Sequence, residues 1–457
     1  MSSPARSDAS GGGAGPTQMN VSRGRSPTSL LIAFLLLTAA TALGQERAPQ
    51  PTTDTSAVNS SRWEIHASLR LRPEWRDNAD FQPANDSDAF WGQQLRISVG
   101  VRLHSSLSGF FQLQDVHLWG AERDGVTYQF NVNLRQFYLD WTLRERLKLR
   151  TGRQELLYGN QRLVGSFGWD TVGRTFDGAR MTFDWSNRWA TDLFAARLVE
   201  VRRGTPHRVG NQDLYGTYTR FTSQRPERVE FYGLYLHDGL RSRGELPTGA
   251  FRLTGIYTFG GRVSRPAAKG FRYDIEHAWQ FGERGDDRHR AAALAAQAGY
   301  TFDRKFSPLV SFEYDFATGD RNPADGRSGE FHNLFPTNHY FYGHADLVGW
   351  RNMHDLRATL AAQLRPKVRV QVDYHRFLLA SRRGRWSSAG GQTLGFDPAG
   401  GSGRDLGQEV DVMARIPLNA HVQFEAGYSL FVPGAFARAT RGSELHHFAY
   451  LQTWLGF

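Results

Sequence analysis

"WEIHASLRLR", residues 63–72, alternates without a slip. Trp63, Ile65, Ala67, Leu69 and Leu71 share one parity; Glu64, His66, Ser68, Arg70 and Arg72 share the other. A period of two places these sets on opposite faces of a β-strand. One face is wholly apolar and the other carries full charges. The stretch 94–103 repeats the pattern, with Leu95, Ile97, Val99, Val101 and Leu103 against Gln94, Arg96, Ser98, Gly100 and Arg102. Residues 271–281 and 422–430 do the same. A soluble sandwich also alternates, but its dry faces must meet in a shared core. In a membrane barrel the dry face meets lipid and the charged face meets a water-filled lumen.

Eighteen segments of this kind follow one another from residue 63 to residue 457. The alternation slips in 132–143, 190–198 and 214–221. The spacers run long, short, long, short. The long ones include 73–91, 120–131, 154–177, 318–354 and 378–406, the short ones 104–107, 144–146, 365–367 and 417–420. The spacer 259–270 is a little long for its class. Long extracellular loops and short periplasmic turns are the rule for outer-membrane barrels. The expectation is an all-β fold over residues 62–457: a transmembrane antiparallel β-barrel of about eighteen strands in the bacterial outer membrane. The final "FAYLQTWLGF" closes on Phe457. It resembles the recognition signal of bacterial outer-membrane proteins, which implies the barrel-assembly machinery and the lipid bilayer as partners.

The N-terminus fits that destination. Arg23 and Arg25 precede the apolar run 30–37, "LLIAFLLL", and the small-residue stretch "TAATALG". The run is too short to span a bilayer and reads as a cleaved signal peptide, so residues 1–44 are assigned to an N-terminal extension and signal peptide. Met19 offers a more usual start than Met1. Residues 45–61 read as a disordered periplasmic linker. The chain has no Cys, which removes disulfides, thiolate metal sites and lipoprotein anchoring.

The net charge is +10, and of 55 basic residues only Lys148, Lys269, Lys305 and Lys367 are lysine. A base-composition bias explains an arginine excess. So does a need for planar donors that bind carboxylate or phosphate. Parity places Arg70, Arg72, Arg96, Arg102, Arg150, Arg180, Arg357, Arg369 and Arg415 in the lumen. Acidic residues share that face, among them Asp140, Glu276, Glu313, Asp373, Glu409, Asp411 and Glu425. These groups form either salt-bridge ladders that stiffen the wall or a file of guanidinium groups that solvates a passing anion.

The segment 169–180, "WDTVGRTFDGAR", is too polar for a membrane strand and too aromatic for a solvated loop. Folded inward, it packs Trp169 and Phe176 on the wall and offers Arg162 and Arg174 to the channel. Asp170 and Asp177 then hold the arginines or compete with the solute. Arg153 has the parity of the lipid face, so a bulge at Gly152 must turn it inward, or it lies above the membrane.

"GRQELLYGNQRLVG" (152–165), "WDTVGRTFDGAR", "LFPTNHYFYGHAD" (334–346), "GQEVDV" (407–412) and "EAGYSLFVPGAF" (425–436) resemble the alginate-export family of outer-membrane barrels. The resemblance spans roughly residues 62–457 and is best around Arg153 and Arg174–Arg180. It implies an eighteen-stranded barrel with an arginine-rich constriction that passes a polyuronate, and periplasmic export partners.

The expected function is therefore an outer-membrane channel for an anionic saccharide or carboxylate solute. A general or substrate-specific porin for other small solutes is the alternative. A barrel hydrolase would need a converging Ser, His and orienting partner; no nucleophile motif is evident. A nucleic-acid role fails because the arginines spread over strand faces behind an export signal. The acidic loop 315–327 lacks EF-hand spacing, and His332, His339, His344, His446 and His447 lack a helical zinc pairing, so no metal and no cofactor is assigned.

Overall fold

Eighteen strands close on themselves into an antiparallel barrel. The computed structural model describes residues 62–82, 87–120, 130–200, 208–222, 226–239, 254–365 and 367–457. The expected signal peptide 1–44 and linker 45–61 lie outside the described residues. In chain order the wall strands begin with β1 Trp63–Asp77, β2 Asp88–His104, β3 Leu107–Trp119, β4 Phe130–Arg144, β5 Leu147–Gln154 and β6 Phe176–Asp184. They continue with β7 Trp189–Glu200, β8 Arg208–Thr222, β9 Arg228–Asp238, β10 Thr254–Arg265, β11 Gly270–Arg284 and β12 Asp287–Thr301. The last six are β13 Leu309–Ala317, β14 Met353–Arg365, β15 Val368–Leu379, β16 Asp405–Pro417, β17 Val422–Pro433 and β18 His446–Gly456.

Each strand pairs with its sequence neighbours, and β1 also pairs with β18. Phe457 exchanges two backbone hydrogen bonds with Ala67 at this seam. Closure leaves no free edge, as hydrocarbon on the outer face requires. The outward parity carries exposed Ile65, Ile97, Phe231, Trp279, Phe312 and Leu360.

The slips in alternation have two causes. Bulges interrupt β4 against β3 at Arg135, and β7 against β8 near Leu198. The inner faces of β7–β9 are also apolar near the long-loop end. Phe194, Leu214, Tyr218, Tyr232, Leu234 and Leu236 are buried in a core shared with Leu156, Tyr158, Leu163 and Val164. A membrane strand whose inner face is covered by protein loses its polar parity. The spacer 259–270 is shorter than the sequence suggested, because β10 continues through Gly260–Gly261 to Arg265. One connection at the long-loop end, between β11 and β12, is a tight hairpin.

Candidate functional site

Three long connections among the described residues fold inward, and the first two meet. The first, residues 155–175, joins β5 to β6; the second, residues 318–352, joins β13 to β14. They zip together through a parallel bridge between Val164 and Phe335. The Gly165 amide donates to Phe335 O at 2.8 Å, and the Phe335 amide to Leu163 O at 2.9 Å. Trp169 lies flat on His339, centroids 3.6 Å apart, and Phe176 meets Phe335 edge-on at 5.3 Å. The aromatics thus pack on the other loop as much as on the wall.

The wall holds the first loop through its carbonyls. Arg70 donates to Gly168 O (2.8 Å) and Asp170 O (3.0 Å), and Arg72 to Trp169 O (2.6 Å). Gln94 donates to Thr171 O, Gln114 to Val172 O, and Arg135 to Val172 O. A bent loop has unpaired backbone acceptors, and a low-dielectric interior makes each costly unless a donor meets it. Inner-face arginines from β1 and β4 supply those donors.

The wall grips the second loop in large part through its amides. Glu409 accepts from the Ala345 N–H at 2.9 Å, and Asp411 from the His344 N–H at 3.4 Å. Gly343 sits against the Glu409 carboxylate with φ +84°, a conformation and a space that a side chain would disturb. Arg357 adds one bond to Tyr340 O. The third inward connection, residues 380–404, covers this loop: Trp386 donates to Leu347 O, and Ala389 O accepts from Asn338.

The expected site residues fall into three groups. Arg70, Arg96, Arg150, Arg180, Arg357 and Arg369 lie on the inner face. Arg102 does so by parity but is exposed near the short-turn rim. Arg150 is paired bidentately with Asp140 (both 2.7 Å), and Arg357 with Asp373 (3.1 and 2.9 Å). Arg162 and Arg174 belong to the first loop, but neither simply faces the channel. Arg162 is clamped by Glu313, Asp315 and the Tyr342 hydroxyl, which hold its guanidinium well above the usual arginine range despite burial. Arg174 donates to Gly165 O and Pro336 O, and burial pushes it down to about 10. Asp170 holds no arginine side chain; its carboxylate accepts the Val172 and Gly173 amides and shapes its own turn.

Arg153 and Asp177 depart from the expectation. They are register partners on the outer face, beside exposed Phe137, and pair bidentately at 2.7 and 2.8 Å. Gly152 has a positive φ of 123°, yet strand parity is kept there, so Arg153 does not turn inward. Arg135 was missed. It is buried, bonds Glu155 at 2.6 Å and is aimed at the first loop by the bulge beside it. The slip between Arg135 and Gln136 was the available signal.

Like charges also face one another across strands. Arg150 lies opposite Arg180, and Arg369 opposite Arg415. Nη2 of Arg96, Nε of Arg180 and Nη2 of Arg369 are buried without a hydrogen-bond partner. In the loop 315–327, Asp320 and Asp325 accept nearby backbone amides, and among the described residues no group of three or more His, Asp or Glu is arranged to hold a metal ion.

A model of the alginate export family matches residues 62–450. The chain belongs to the alginate export family. No curated protein matches the sequence. Among solved structures it is similar to OccD3 of Pseudomonas aeruginosa, with 10% identity over 86% of this chain and 91% of that one, at a TM-score of 0.58. OccAB4 of Acinetobacter baumannii gives 8%, 86%, 98% and 0.57. The outer membrane protein OprD of Pseudomonas aeruginosa gives 11%, 86%, 94% and 0.54. At these identities the likeness is one of fold. This alginate export family member is an outer-membrane β-barrel channel and not an enzyme.

Proposed function

We propose that the channel passes an anionic solute, an acidic saccharide or uronate, along its inner-face arginines. The observation that carries this is the set of buried, unpartnered guanidinium atoms on Arg96, Arg180 and Arg369. Arg180 and Arg369 lie opposite Arg150 and Arg415, whose charges Asp140 and Glu425 already pair. A carboxylate in transit meets the remaining guanidinium donors in planar geometry. Several such stations in file allow exit as well as entry. Arg70, Arg72, Arg135, Arg162 and Arg174 build the constriction instead of solvating the solute. Family membership supports a uronate as the solute, with the barrel-assembly machinery and periplasmic export proteins as partners.

The test is the reversal potential of the purified barrel in a planar bilayer under a KCl gradient, with and without polyuronate. Anion selectivity that falls in Arg180→Ala and Arg369→Ala, with block by the polyuronate, is expected. Cation selectivity, unchanged in both variants, refutes the arginine file.

A further inference from the structure

At the short-turn end of the seam a cavity of about 380 Å³ opens between β1, β2, β17, β18 and the turn 417–421. Its walls include His66, Ser68, Ser98, Gln423 and Trp454. By parity all five lie on the inner face. At this end Trp63, Trp185 and Trp189 are exposed outward, while Phe110 and Tyr138 turn inward and stack on each other at 5.1 Å. Trp454 is a tryptophan turned into the lumen at the mouth. Among the described residues no other ring stacks on it; the next inner-face residue along its strand is Gly456, whose carbonyl meets the His421 ring at 2.8 Å on the rim side. Trp454 stands between Gln423 and Arg70 in the sheet register. Nε2 of Gln423 is buried without a partner. The Ser98 hydroxyl accepts from Gln112 at 2.8 Å and keeps its own proton to donate. Ser68 faces Arg96 across β1 and β2, one of the guanidiniums with an unpartnered atom.

We infer that this cavity is a saccharide subsite at the periplasmic mouth, in which a pyranose ring stacks on Trp454. An indole face offers a flat, weakly electronegative surface to the C–H face of a sugar. Gln423, Ser68, Ser98 and His66 surround it with amide, hydroxyl and imidazole groups that match ring hydroxyls. The volume lies at the low end of the range of small-molecule sites, roughly 300–1,000 Å³, which suits a ring or two and not a long segment of polymer. Arg96 lies farther into the barrel, so the stacking site precedes the first unpartnered guanidinium for a solute entering from this end. The inference deepens the proposed function by giving the saccharide a recognition point that does not depend on its charge.

A neutral hexasaccharide, cellohexaose, separates the two readings. It is added in turn to each side of an oriented planar bilayer holding the full barrel, and current block is recorded. Block from the short-turn side at lower concentration than from the loop side is expected. Trp454→Ala should raise the half-blocking concentration roughly tenfold from that side, and Trp454→Phe should restore most of it. Gln423→Ala, which leaves the ring in place, should give a smaller shift in the same direction. The anion-to-cation permeability ratio should not change in any of the three. Heat-modifiable migration on gels confirms that each variant is a folded barrel. Block that is equal from both sides, or unchanged in folded Trp454→Ala and Gln423→Ala, overturns the subsite. Cation selectivity unchanged in Arg180→Ala and Arg369→Ala, with side-dependent block that weakens in Trp454→Ala, refutes the arginine file and supports the subsite.

Discussion

The first two inward loops solve one problem with opposite charges. The first turns carbonyls to the wall, and the wall answers with Arg70, Arg72 and Arg135. The second turns amides to the wall, and Glu409 and Asp411 answer. Neither sector's charge can then be read as solute chemistry alone. A large share of it satisfies backbone that a bare lumen would leave unpaired. The arginines that remain for a solute are the ones with no loop carbonyl in reach.

The strongest way to break this comparison is at a side chain that belongs to both sectors. Arg162 leaves the first loop and is buried against Glu313 and Asp315. Arg162→Ala strands the buried Asp315 carboxylate, leaves Glu313 with Arg357 and Gln297, and should cost about 3–5 kcal/mol. The barrel's thermal unfolding midpoint should fall, and single-channel records should become noisy. A quiet channel with wild-type stability would mean that the loops are held independently.

Next in size is the carbonyl grip. Arg70→Ala removes donors from Gly168 O and Asp170 O and should loosen the first loop by about 1–3 kcal/mol. Limited proteolysis should then cut within residues 155–175 and spare residues 318–352. Equal cutting of both would show that the zipper between them, and not the wall, sets their stability.

A third test uses pH. Burial pushes Asp346 up to about 7, against the pull of Arg76 and His344. Burial, with His344 and Arg72 adding, holds its neighbour His339 well below the usual histidine range. The two face each other at 3.1 Å. A raised carboxyl favours the docked loop at low pH, and that contribution is lost as pH rises from about 4 to 7. A depressed histidine does the reverse: its contribution is present above about 6.5 and is lost as pH falls below it. The slopes oppose, so wild-type docking should vary little between pH 4.5 and 8. Asp346→Asn should loosen the second loop on acidification, and His339→Phe on alkalinisation. Each should approach a limit of about 1.4 kcal/mol per pH unit, read as the protection of residues 318–352 from limited proteolysis. The first loop, held to the wall by arginines, should respond less, and only through the Trp169–His339 stack and its bridge to the second loop.

The smallest effect is expected outside the lumen. Arg153→Ala removes an ion pair with Asp177 on the outer face and should cost about 0–1 kcal/mol, with no change in ion selectivity. A changed reversal potential would return Arg153 to the pore.

The wall was legible in the residues because lipid imposes one rule on every strand. A strictly apolar outer face of period two needs no tertiary context, so the eighteen strands and their long and short connections follow from alternation alone. The misreadings occurred where that rule yields to packing. Arg135 is displaced from its parity by a bulge, and β7–β9 carry an apolar inner face because Leu156, Tyr158, Leu163 and Val164 cover it. Arg153 kept its parity when the sequence invited a bulge.

The residues by themselves determined the barrel and the facing of the arginines on regular strands, since strand periodicity is a local property; Arg135, beside a bulge, escaped that rule. Only the tertiary structure decided what each guanidinium touches. Whether Arg72 meets Trp169 O or Arg162 meets Asp315 depends on contacts 97 and 153 residues apart in the chain, which only the folded loops bring together.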